Sequence, residues 1–144
     1  MHQPSLKWMP PLSMAAIAVL FSTQPIRAEL LEKTKQIART TVRYKVVLPN
    51  GYDAAKTYPA ILALGGGPQN MSTVDRILDR NFQAEAEKRG YIVIAPAAPG
   101  DQLFFEDGAR IFPDFLKLIL ADYKVRDNKF HIAGEMNPRM TAQR

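Results

Sequence analysis

Near the end of the 144-residue chain, Lys129-Phe-His-Ile-Ala-Gly134-Glu-Met136-Asn137-Pro138 runs from an apolar strand into a glycine turn. A strand-to-helix turn of the form G-x-S-x-G holds a serine hydroxyl exposed at its apex, where it can attack a carbonyl carbon. Counting from Gly134 puts Met136 at that apex. A thioether has no proton to give up and forms no useful acyl intermediate, so Met136 has the nucleophile's position without its chemistry. The base is missing as well. Serine hydrolysis needs an imidazole to take the hydroxyl proton, and the only histidines are His2 and His131. His131 sits within the strand, where it is expected to pack as a strand residue away from the apex. Two histidines so placed exclude a two-histidine metal site, and the scattered carboxylates show no ligand spacing.

A second candidate lies at Gly65-Gly66-Gly67-Pro68. Glycines permit close backbone approach and leave N–H groups free to face an anion, as an oxyanion hole requires. Gly65, Gly66, Gly67 and Gln69 can donate, whereas Pro68 has no N–H. Two other readings stay open: a phosphate loop, which lacks a following Gly-Lys-Ser/Thr, and a tight turn with no ligand. Leu103-Phe104-Phe105-Glu106 places two aromatics in a further loop, where they line a pocket or plug the core beneath.

The elements that would position these residues follow from periodicity. Thr41 to Leu48 alternates, with Val42, Tyr44, Val46 and Leu48 on one face, as in a half-exposed strand. Ala60 to Leu64, Tyr91 to Ala95 and Phe130 to Ala133 are short apolar runs of the kind buried on both faces. Ser72 to Arg89 reads as a helix, with Ser72 and Asp75 as a capping box and Gly90 closing it. A second helix carries the stripe Phe112, Phe115, Leu116, Ile119 and Tyr123, with Pro113 in its first turn. The charged stretch Glu29 to Arg39 reads as a short helix or a frayed arm. Strands alternating with helices imply right-handed crossovers and a mostly parallel sheet with helices on both faces. Ligands of such sheets bind outside the carboxyl ends of the strands, where the Gly65, Ala97 and Gly134 loops lie.

Composition bounds the rest. A chain that is 47% hydrophobic and 23% charged is an ordinary globular one, with room for one domain. Residues 1–28 read as a signal peptide: Lys7 near the start, a largely apolar run from Leu12 to Phe21, and a polar stretch ending at Ala28. That run is shorter than the about 20 residues a bilayer span needs, so no stable membrane anchor is expected. A secreted or periplasmic location follows. Loss of Lys7 and Arg27 takes the 19 basic residues to 17 against 14 acidic, and the net charge from +5 to +3. Basic residues dispersed among acids argue against nucleic-acid binding. The absence of cysteine rules out disulfides and thiolate metal sites.

Four segments together resemble a known family. Val46-Val-Leu-Pro-Asn-Gly-Tyr52, Tyr58-Pro-Ala-Ile-Leu-Ala-Leu-Gly-Gly-Gly67, Gly90-Tyr-Ile-Val-Ile-Ala-Pro96 and Lys129-Phe-His-Ile-Ala-Gly134 resemble, in order, the N-terminal half of secreted α/β-hydrolases. The similarity lies with the dienelactone-hydrolase, feruloyl-esterase and polyhydroxybutyrate-depolymerase esterases, over about Val42 to Asn137. The resemblance implies a serine carboxylic ester hydrolase with a small-molecule ester substrate, an acyl-enzyme intermediate and no cofactor. It implies that Gly65, Gly66 and Gly67 form the oxyanion loop, although Leu64 stands where many members have histidine. It also implies that Gly134 is the first elbow glycine and Met136 the nucleophile's position. Pro138 replaces the second small residue, and the family's acid and histidine come from strands after the elbow.

The resulting expectation is an incomplete α/β-hydrolase domain over residues 29–144, truncated or shifted out of frame at the elbow and incompetent in ester hydrolysis. An alternative of a different class is a small non-catalytic flavodoxin-like or nucleotide-binding α/β module. A third is a partner-binding half-domain that self-associates through its incomplete sheet.

Overall fold

The computed structural model describes residues 29–101 and 107–134. The segment 1–28, the aromatic loop from Leu103 to Glu106, and Met136 with Pro138 lie outside the described residues. The described chain forms a five-stranded sheet in the order β1-β2-β4-β3-β5. The strands are β1 (Glu29–Ile37), β2 (Thr40–Leu48), β3 (Tyr58–Leu64), β4 (Ile92–Pro96) and β5 (Val125–Gly134). β3 runs parallel to both β4 and β5, while β2 is antiparallel to both β1 and β4. The sheet is therefore mixed, which corrects the mostly parallel sheet expected from the strand-helix alternation.

Part of the difference comes from the stretch read as a helix or a frayed arm. Burial along β1 has period two: Leu31, Lys33, Lys35 and Ile37 lean inward while Glu32, Thr34 and Gln36 face solvent. Two lysines occupy inward positions because their heads reach polar groups at the end of the third helix. Lys33 Nζ donates to Tyr123 Oη at 2.8 Å, and Lys35 Nζ pairs with Asp122 at 2.7 Å. Their aliphatic stems cover the sheet on the way. A two-residue turn returns the chain to β2, with Ile37 opposite Thr40 and Ala38 at φ 52°.

After β3 the chain is helical from Met71 to Arg89, as α1 (Met71–Ile77), a π-turn (Leu78–Phe82) and α2 (Gln83–Arg89). Its start differs from the expected Ser72–Asp75 box. Asn70 is the N-cap, its Oδ1 accepting from Thr73 N at 3.1 Å, and Asp75 is taken by an ion pair with Lys45. The end agrees with expectation, since Gly90 closes α2 at φ 73°. The third helix, α3 (Phe112–Asp122), has Pro113 in its first turn and buries Phe115 and Ile119.

Neighbouring strand residues feed opposite cores. Val46, Leu62 and Ile94 pack with Phe115 and Ile119 of α3, whereas Val47, Ala63 and Val93 pack with Val74, Ile77 and Leu78 on the helix after β3. Both faces are thus covered by helix, which is why β3 and β4 carry continuous apolar runs. β5 extends beyond the expected Phe130–Ala133. Its first part, holding Asp127 and Asn128 at positive φ, is an irregularity between the pairs Tyr58↔Val125 and Ala60↔Phe130.

Candidate functional site

The carboxyl ends of β3 and β5 stand level, with Leu64 directly beside Gly134. This register brings the glycine loop and Gly134 to one corner of the sheet. A side chain at Gly134 would put its Cβ 3.1 Å from the Leu64 carbonyl oxygen, so the backbones approach at a distance that favours glycine. Of the residues proposed for chemistry, Gly65, Gly66 and Gly67 are at this corner, and Met136 belongs to the segment outside the described residues.

The loop is held from within. Gln69 is buried and its Nε2 donates to the Gly65 carbonyl at 3.0 Å. Thr73 Oγ1 donates to the Pro68 carbonyl at 2.5 Å, and a Cβ on Gly65 would overlap the Thr73 methyl group. Gly67 adopts φ 73°, a left-handed conformation that glycine takes without strain. Among the described residues, neither the Gly66 nor the Gly67 N–H donates to a protein acceptor. Two adjacent unsatisfied N–H groups in a fixed loop can donate to an incoming anionic oxygen. The sequence marked the glycines but missed what fixes them. The polar pair Gln69 and Thr73, four and eight residues beyond Gly65, was the available signal.

Beside this loop lies a crevice of about 190 Å³ between Asn70 and Met71 on one side and Ala97 to Gly100 on the other. Thr41 and Arg43, at the opening of β2, close its third side. Its walls are stitched together by backbone hydrogen bonds, from Ala97 N to Arg43 O at 2.9 Å and from Ala98 N to Gln69 O at 2.7 Å. The Arg43 guanidinium is paired with Glu32 at 2.6 Å, which leaves little net charge at the rim.

His131 does not reach this corner. It lies three residues before Gly134, roughly 10 Å along the strand. Instead of packing in the core, it is exposed on the α2 side, its ring 6.5 Å from that of Tyr91, in an open groove shared with Ile61 and Phe82. The expectation of a packed strand histidine is corrected, because β5 is the last strand and no helix covers it there among the described residues. No group of three or more His, Asp or Glu residues is disposed to hold a metal ion among the described residues.

No protein-family model matches the chain. Dipeptidyl-peptidase 5 of Porphyromonas gingivalis is 49% identical over 55 residues, covering 38% of this chain and 8% of that protein. The feruloyl esterase module from Clostridium thermocellum superposes with a TM-score of 0.60 at 18% identity, over 78% of this chain and 46% of that one. An S-formylglutathione hydrolase from Agrobacterium tumefaciens gives a TM-score of 0.60 at 14% identity, over 78% of this chain and 50% of that one. At these identities the likeness is one of fold alone: a five-stranded mixed sheet with helices, arranged as in these solved structures. The chain spans about half the length of these solved structures and a small fraction of the curated relative.

Proposed function

We propose that the chain is the N-terminal part of a carboxylic ester hydrolase whose oxyanion loop is Gly65, Gly66 and Gly67, and that it does not itself turn over esters. The observation that carries this reading is the level placement of the Gly65 loop and Gly134, with the Gly66 and Gly67 N–H groups at the corner and without an acceptor among the described residues. The substrate is a small-molecule ester, and the acyl oxygen would develop its negative charge against those N–H groups. On this reading Met136 would stand at the attacking position without a hydroxyl, and His131, three residues before Gly134 on the α2 side of β5, supplies no base at the corner. A shift of reading frame at the elbow accounts for Met136 and Pro138 together. Residues 1–28 act as a signal peptide that directs the chain to a secreted or periplasmic location, leaving residues 29–144 as the incomplete domain.

Incubation of purified chain with p-nitrophenyl acetate tests the central claim, the expected result being release no faster than buffer alone. Covalent capture by a fluorophosphonate probe would contradict it. Translation of the encoding DNA in the other two frames beyond the Gly134 codon tests the frame shift, with Ser-Asn-Gly-Gly followed by an amphipathic helix as the expected continuation. N-terminal sequencing of exported protein should begin at Glu29. Titration with flavin and nucleotides should show no binding, and saturable binding would favour the small nucleotide-binding module instead.

The identity to dipeptidyl-peptidase 5 favours a second reading, in which the ancestral substrate is a peptide. Ester and amide cleavage share the oxyanion requirement, so the glycine loop serves both. A continuation in another frame that aligns with dipeptidyl peptidases rather than feruloyl esterases would decide for it.

A further inference from the structure

The two borders of the sheet are built differently. β1 carries Glu29, Glu32, Lys33 and Lys35 among its nine residues, the kind of charged border that resists addition of another strand. β5 ends in Phe130-His131-Ile132-Ala133-Gly134, a regular stretch with no Lys, Arg, Asp or Glu that, among the described residues, is paired to β3 on one side only. Ile132 is 73% exposed there, against 40% for Leu30, the exposed large apolar residue of β1. An open, uncharged and apolar strand edge is a template for pairing.

We propose that a second copy of this chain occupies that edge, β5 pairing antiparallel with β5 about a two-fold axis through Ile132. The residues of the stretch favour this occupant over a foreign strand because they complement themselves. Antiparallel pairing centred on Ile132 sets Ile132 against Ile132, His131 against Ala133 and Phe130 against Gly134. A cross-strand aromatic over a glycine is a stabilising arrangement, covering backbone that glycine leaves bare. Identical apolar side chains meet at the axis, and no like charges do. The contact is isologous and closes at two copies, joining two five-stranded sheets into one of ten strands. The irregularity at Asp127 and Asn128 ends the pairing surface on the other side. This inference does not depend on the hydrolase reading.

The absence of cysteine gives a clean test. Cα atoms directly opposite across an antiparallel pair lie about 4.5 to 5.5 Å apart, within disulfide reach. Purified Ile132→Cys chain should therefore oxidise to a covalent dimer much faster than Leu30→Cys, its counterpart on β1. In light scattering, the unmodified full chain should move from one-chain to two-chain mass with concentration. Ile132→Lys, which sets like charges at the axis of an exposed position, should remain single with an unchanged circular dichroism spectrum. The proposal is overturned by one-chain mass at every concentration, by assemblies that do not stop at two, by association that survives Ile132→Lys, or by equal oxidation rates of the two cysteine variants. A chain that stays single yet binds an added extended peptide through β5 would likewise overturn it, in favour of a foreign strand.

Discussion

Tyr44 shows how a single group can work against the fold that holds it. Its side chain is fully buried with the hydroxyl lacking a partner among the described residues, and its ring meets Phe115 edge-on at 5.3 Å. Burial pushes its pKa well above the ordinary 10.0, and Tyr123 and Asp122 add to the effect. Tyr44→Phe keeps the ring and removes the desolvated oxygen, so a gain of about 1 kcal/mol in urea unfolding is expected. The alkaline behaviour carries its own sign. Above pH 10 the unfolded tyrosine loses its proton while the folded one keeps it, so the folded state binds more protons and stability falls as pH rises. Tyr44→Phe should flatten that fall by about 1.4 kcal/mol per pH unit, and an unchanged slope would refute the assignment. Gly65 makes a steric prediction. Gly65→Ala drives a methyl into Thr73 Cγ2 and should lower stability by about 1 to 3 kcal/mol. Adding Thr73→Ser removes that carbon but keeps the hydroxyl on Pro68, so the double variant should recover most of the loss in a mutant cycle.

At the scale of elements, the cap of α1 separates sequence expectation from structure. Asn70→Ala should cost about 1 kcal/mol in thermal or urea unfolding, whereas Ser72→Ala should change little, the reverse of what a Ser72 capping box requires. The hairpin turn offers a gain: Ala38→Asn places a residue tolerant of left-handed backbone at φ 52°, and about 0.5 to 1 kcal/mol of added stability should appear in the same assay. The central strands β3 and β4, the Gly90 stop and the Pro113 start were legible because each is dictated by residues within its own segment. β1 was not, since its inward lysines look polar until Tyr123 and Asp122 are brought beside them from about ninety residues away. The direction of β2 was hidden for the same reason. Periodicity reports which face a strand buries but not which way its neighbour runs. Of the candidate site, glycine positions were readable and their fixation by Gln69 and Thr73 was not, because that depends on a turn closing on itself.

For the whole molecule, the feature that matters most is that one corner of the sheet brings the Gly65 loop level with Gly134. On the proposed reading Met136→Ser supplies a hydroxyl but no base, since His131 faces the α2 side of β5, three residues before Gly134. Esterase activity of that variant on p-nitrophenyl acetate should stay at the level of the blank, and measurable turnover would mean that a base has been overlooked. The solved structures that share this fold are about twice as long as the part of them that this chain spans. The bonds from Ala97 to Arg43 and from Ala98 to Gln69 have one more consequence. They tie the far bank of the hollow to the sheet and to the glycine bend at once. Those two amides should be among the slowest of any loop to trade their hydrogens with deuterated water.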